Sequence, residues 1–188
     1  MIIFAFLGYA GHGKTTAAAY LDDYCTQNGT TRFIAFGDAV KEEASLRYGF
    51  DRILCDTQEG KIKYIDTDMG YKTVRETLVL HSTTRKKLEG DDYWAKKVIQ
   101  KITQADPDFA VIHDLRFKAE YQALKEAFPK DLIVTIRIVN PKAPISDCPS
   151  EHDMDDFQPI HTIQNDSTVS ILYSRLSQIF NVYIGSSV

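Results

Sequence analysis

The chain has 188 residues, 44% of them hydrophobic and 11% aromatic, which suffices to bury the core of a single domain; its formal net charge is -4. That acidic balance argues against sequence-independent binding to nucleic acid, which draws its affinity from many basic groups, and no apolar stretch approaches the ~20 residues of a membrane helix. Cys25, Cys55 and Cys148 are widely spaced and odd in number, so neither a disulfide framework nor a zinc site is indicated and reduced thiols are expected.

In chain order, Ile2-Ile3-Phe4-Ala5-Phe6-Leu7 predicts a buried strand. It has no basic segment before it and is too short for a signal peptide. Directly behind it, Gly8-Tyr9-Ala10-Gly11-His12-Gly13-Lys14-Thr15 matches the phosphate-loop pattern G-x-x-x-x-G-K-[ST]. A helix is predicted from about Lys14 to Asn28, stopping at Gly29, then a strand over Arg32 to Phe36. Asp38 stands at that strand's carboxyl end and opens a helical stretch closed near Gly49. From Asp51 to Gly70 periodicity is lost, which predicts an irregular excursion.

Helices are predicted over Thr73 to Leu88 and Asp91 to Gln104, then a strand over Phe109 to His113 that ends at Asp114. A helix over Lys118 to Phe128 and a strand over Leu132 to Ile138 follow. Asn140 to Pro159 reads as a loop with a helical turn at Ser150 to Phe157, before a strand near Ile160 to Ile163 and a helix over about Ser167 to Phe180. Apolar, β-branched strands separated by helices predict a parallel sheet buried on both faces. The expected fold is therefore α/β: a three-layer α/β/α sandwich of the P-loop NTPase type, with a central parallel sheet of about five strands. It is read as one domain over residues 1–188 with an inserted helical, acceptor-binding region around residues 50–105.

The loop carries the clearest chemistry. Its glycines let backbone N–H groups wrap a phosphate chain, Lys14 supplies a point charge between the β- and γ-phosphates, and the Thr15 hydroxyl can hold Mg²⁺. ATP contacts are thus expected from Gly8, Tyr9, Ala10, Gly11, His12, Gly13, Lys14, Thr15 and Thr16. Asp114, at a strand end, suits a second Mg²⁺-organising acid or a helix cap. Asp38 suits an acceptor hydroxyl, a Mg²⁺-bound water or a cap. Phosphoryl transfer needs cations beyond Lys14, and Arg75, Arg85 and Arg116 are the candidates; Lys14, Asp38 and Arg116 are assigned the catalytic roles.

Phe36-Gly37-Asp38-Ala39-Val40-Lys41-Glu42, Arg75-Glu76-x-Leu78, Asp92-Tyr93-Trp94, Val111 to Phe117, Ser150-Glu151 and Ile163-Gln164-Asn165-Asp166 form an ordered set. In order and spacing this set resembles the phage-type deoxynucleoside monophosphate kinases, relatives in fold of dephospho-CoA kinase. The resemblance implies transfer of the ATP γ-phosphate to a deoxynucleoside monophosphate (dNMP), with Mg²⁺. It implies that Asp38, Lys41, Arg75, Arg85 and Arg116 surround the acceptor, that Trp94 and Glu151 border its pocket, and that Asn165 and Asp166 lie near adenine. It also implies a cytoplasmic protein, in the host cytoplasm if phage-encoded, whose partners are ATP and dNMP rather than nucleic acid or membrane; a homodimer stays open. Ser82-Thr83, preceded by His81, stands where that family usually has Gly-Thr, and Asn140-Pro141 where it has Arg-Pro.

Other readings are a dephospho-CoA kinase-like enzyme or nucleoside kinase, and a non-catalytic module switched by ATP. His113-Asp114 and His152-Asp153 could suggest a metal-dependent phosphohydrolase, but further ligands at suitable spacing are missing. Tyr64, Tyr71 and Tyr93 could stack on a base, although packing is the commoner fate of a tyrosine.

Overall fold

A computed structural model describes residues 1–68, 70–145 and 151–184. Ser150 and Cys148, named above, lie outside them. The chain divides into two compact units, Met1–Ala35 with Ile99–Val188, and Phe36–Val98.

The first unit is built on a five-stranded sheet. Its strands are β1 (Ile2–Leu7), β2 (Thr31–Ile34), β5 (Phe109–Ile112), β6 (Leu132–Val139) and β7 (His161–Gln164), in the spatial order β2-β5-β1-β6-β7. Every pairing is parallel. Parallel neighbours need crossovers: α1 (Lys14–Thr26) lies between β1 and β2 and α6 (Lys118–Ala127) between β5 and β6, while α7 (Val169–Ile184) follows the last strand. Because side chains alternate along a strand, Phe4 and Phe6 enter one core with Leu21, Leu172, Leu176 and Phe180 while Ile3, Ala5 and Leu7 face the other way, and all of β1 beyond Ile2 is fully buried. Tyr20 of α1 stacks on Tyr173 of α7 with centroids 3.9 Å apart, fixing one helical layer. The expected three-layer α/β/α sandwich with its parallel sheet is present.

The second unit holds α2 (Phe36–Tyr48), a 3-10 turn (Arg52–Cys55), α3 (Gln58–Lys61), the ribbon β3 (Tyr64–Ile65) and β4 (Lys72–Thr73), and α4 (Val74–Glu89). Helix α5 (Tyr93–Ala105) starts here and ends in the first unit. Two local expectations change. Phe36 and Gly37 belong to α2 rather than to the strand before it, so Asp38 sits in a helix's first turn, where a carboxylate complements the helix dipole. Asp51 to Gly70 is more ordered than lost periodicity suggested, because short caps do the work of a buried stripe: Asp51 accepts from the Ile53 N–H and Thr57 from the Gly60 N–H. Thr73 then opens α4 with a reciprocal capping box to Glu76.

Candidate active site

The phosphate loop leaves the carboxyl end of β1, the position where open parallel sheets bind ligands. Gly8 has φ +131, and a β-carbon there would lie 2.4 Å from the Ile138 carbonyl oxygen of neighbouring β6, so the loop turns out of the sheet only without a side chain. Gly13, at φ 93, delivers the chain into α1 in the left-handed conformation. On the loop's far side the Asn165 amide donates to the His12 carbonyl at 3.0 Å, and the Asn140 N–H donates to His12 Nδ1 at 3.1 Å. His12 is 4% exposed, and burial, helped by the Lys14 charge, lowers its pKa although the Ile138 carbonyl pulls the other way.

Lys14 is the electrostatic centre. It is 8% exposed, and its ammonium donates to the Tyr9 carbonyl at 2.7 Å. Burial lowers its pKa to about 8, and the neighbouring Arg116 pushes the same way, against the pull of Glu151 and Asp114. Two cations held together with partial compensation form a site that an anion would relax. Thr15 and Thr16 follow, exposed, in the first turn of α1. Asp114 is set beside the loop by backbone: β1 and β5 are in register to Ala5 and Ile112, and the Leu115 N–H donates to the Phe6 carbonyl at 3.0 Å.

Arg116 donates to Glu151 Oε1 at 3.1 Å, and Glu151 Oε2 accepts the Ala10 N–H at 2.5 Å. Glu151 opens a turn fastened at several further points. Asp155 accepts the Tyr9 hydroxyl at 2.7 Å and faces His152 Nδ1 at 2.8 Å. Asp153 accepts the Lys118 N–H, and Arg137 donates to the Met154 and Phe157 carbonyls. A cavity of about 90 Å³ lies between this turn and the loop, lined among others by Tyr9, His12, Arg137 and Met154. These fastenings were hidden from sequence reading, since Tyr9 fills a variable position of the phosphate loop and Asp155 carries no motif. Asp166 is paired with Arg175 at 3.0 Å.

In the second unit, Asp38 and Lys41 form a four-membered charge cluster with Arg52 and Asp56. Lys41 reaches Asp38 at 3.2 Å and Asp56 at 3.0 Å, and Arg52 reaches the same carboxylates at 3.1 and 2.7 Å. Burial works against the Lys41 charge, but the Asp56 and Asp38 carboxylates prevail and hold its pKa above the usual lysine value. Arg75 donates to Gln58 at 2.8 Å. Arg85 donates to Glu43 at 2.5 Å, and Glu43 also accepts the Tyr93 hydroxyl at 2.7 Å. Trp94 is 2% exposed, with its indole N–H on the Ser82 carbonyl, so it is a packing residue of this unit. Tyr64 and Tyr71 are exposed and stack on each other at 5.1 Å. Arg52, Asp56 and Glu43 are the charged partners that sequence reading missed.

Among the described residues no three His, Cys, Asp or Glu side chains gather to hold a metal ion. The Thr15 hydroxyl and Asp114 carboxylate are hard oxygen donors of the kind Mg²⁺ takes. Among the described residues no helix is long and apolar enough to cross a membrane.

No protein-family model and no curated protein sequence matches the chain. Solved structures do resemble it. A Chloroflexus aurantiacus protein provisionally assigned as a kinase aligns with TM-score 0.50 and 12% identity over 100% of this chain and 97% of that one. An APS kinase CysC variant from Mycobacterium tuberculosis aligns with TM-score 0.48 and 8% identity over 96% of each chain. Shikimate kinase from Acinetobacter baumannii aligns with TM-score 0.47 and 11% identity over 100% of this chain and 96% of that one. The likeness to the Chloroflexus aurantiacus structure is one of fold, a three-layer α/β/α sandwich, and in this chain the glycine-shaped phosphate loop follows its first strand.

Proposed function

We propose that this protein is an ATP-dependent kinase that transfers the γ-phosphate to a deoxynucleoside monophosphate, giving ADP and a deoxynucleoside diphosphate. The observation that carries the proposal is the buried Lys14, its pKa lowered to about 8 beside Arg116 within a left-handed glycine loop. Such a cation-rich nest is built for a polyphosphate. In this reading Gly8 to Thr16 hold the triphosphate and Asn165 supports the loop, with Asp166 toward the adenine. Arg116, Arg75, Arg85, Lys41 and Asp38 serve the acceptor.

Thr15 and Asp114 would hold Mg²⁺, which when bound neutralises the β- and γ-phosphate oxygens. An acceptor phosphate oxygen forms the new bond to the γ-phosphorus, the bond from that phosphorus to the bridging oxygen breaks, and ADP leaves with the electron pair. Lys14 stays protonated throughout and balances the charge that moves onto the bridge. No general base is required, because the attacking phosphate oxygen is already ionised near neutral pH. The choice of acceptor rests on the ordered sequence resemblance and on arginines suited to a dianion.

ADP release measured on adding dNMPs, dephospho-CoA or nucleosides to protein, ATP and Mg²⁺ tests the reading. Release dependent on a dNMP supports it. Release with another acceptor reassigns the substrate, and ATP binding without release under any acceptor leaves a switch.

A further inference from the structure

Lys14 and Glu151 grip one peptide group from opposite sides. The ammonium of Lys14 takes the carbonyl of Tyr9 at 2.7 Å, and the carboxylate of Glu151 takes the N–H of Ala10 at 2.5 Å. These two atoms belong to the same Tyr9–Ala10 peptide, which is trans, so its C=O and N–H point in opposite directions. Glu151 therefore takes the end of that peptide opposite the one Lys14 holds. Its side chain is only 8% exposed, and its other oxygen holds Arg116 at 3.1 Å.

We propose that Glu151 is a positioning residue for the phosphate loop: it fixes the Tyr9–Ala10 peptide so that Tyr9 presents its carbonyl to Lys14, and it restrains Arg116 at the loop's edge. Rotation of that peptide would turn the Tyr9 carbonyl away from the ammonium and release Lys14 from its station. The rest of the turn supports the device. Tyr9, one residue before the gripped N–H, is held by Asp155 through its hydroxyl, and Arg137 anchors the turn's Met154 and Phe157 carbonyls to β6. Each fastening is charge-assisted and so stronger than a neutral hydrogen bond. The role differs from the one implied by sequence resemblance, in which Glu151 borders the acceptor pocket. It rests on the proposed use of this loop for ATP.

The test separates these roles without turnover. Binding of ATP with Mg²⁺ and no acceptor is measured calorimetrically on the full chain and on Glu151→Gln, Glu151→Asp and Glu151→Ala, and the Ala10 amide is followed by ¹H–¹⁵N NMR without nucleotide. A charge-assisted hydrogen bond of this kind predicts ATP binding roughly tenfold weaker in Glu151→Ala, with partial recovery in Glu151→Asp. The Ala10 amide resonance should move upfield in Glu151→Gln, which retains the shape of the side chain should Glu151→Ala fail to fold. Unchanged ATP affinity in folded variants, a raised KM for the dNMP alone, or an Ala10 resonance that stays in place overturns the proposal. Failure of the wild-type chain to bind ATP would instead remove the kinase reading, while the Ala10 resonance would still report on the grip.

Discussion

The side-chain amide of Asn165 occupies the space that a β-carbon on Gly13 would need: an added carbon would lie 2.5 Å from Asn165 Nδ2. Gly13 is doubly constrained, since its φ of 93 also lies in the region that side chains rarely adopt. Gly13→Ala is expected to weaken ATP binding strongly and to lower the melting temperature. Pairing it with Asn165→Ala should relieve the steric part alone, leaving roughly 1–2 kcal/mol of backbone strain. Calorimetry and thermal melts on the single and double variants check this; full recovery in the double variant would mean that the backbone conformation carries no cost.

Lys14→Ala is expected to abolish phosphoryl transfer while the protein stays folded, because the residue acts as a charge rather than as core packing. The His12 N–H still donates to the Tyr9 carbonyl when the ammonium is gone. Near-normal kcat in this variant would exclude the mechanism.

The lowered pKa of Lys14 gives ATP binding a pH signature. In the free protein Lys14 loses its proton near pH 8, while a bound triphosphate raises that pKa. Affinity should be full below pH 8 and fall as pH rises through it, with uptake of a proton on binding at pH 8.5 to 9. Titrations in buffers of different ionisation enthalpy measure that uptake, and Lys14→Met should abolish it.

His12, His81 and His161 are each pushed below the usual histidine pKa, foremost by burial. The unfolded chain protonates them near pH 6.5 and the folded chain resists, so the unfolded state binds more protons as pH falls. Stability should then decline on acidification below about pH 6.5, before the carboxylates titrate. A melting temperature flat between pH 7.5 and 5 would contradict it.

Arg75→Lys and Arg116→Lys keep the charge but lose the planar fork that grips a dianion. Each should lower kcat/KM for dNMPs by at least roughly tenfold, with ATP affinity nearly unchanged. Normal activity in both variants, or loss of ATP affinity instead, would displace the acceptor site from these arginines.

The sheet and the phosphate loop were legible in the sequence because both rest on local signals. Apolar β-branched runs state a buried strand directly, and Gly8, Gly13 and Lys14 are fixed by backbone geometry and charge. Two things were not legible. The start of α2 at Phe36 depends on where the chain leaves the sheet, and the ordering of Arg52–Cys55 and Gln58–Lys61 depends on single caps that leave no periodic trace. At the site, pairings distant in sequence were invisible: Tyr9 with Asp155, Ala10 with Glu151 and Arg85 with Glu43 are contacts that no spacing or motif along the chain names. Trp94 shows the converse, since a motif-bearing aromatic turns out to be packing.

On the proposed function, this protein moves the ATP γ-phosphate onto a nucleoside monophosphate. ³¹P NMR of protein, ATP, Mg²⁺ and a dNMP follows it directly: ATP and dNMP signals should decay together as ADP and dNDP grow in equal amounts, with no inorganic phosphate, and Lys14→Ala should leave the spectrum unchanged. Accumulation of inorganic phosphate in place of dNDP, or an unchanged spectrum with every dNMP while ATP is bound, would contradict the account.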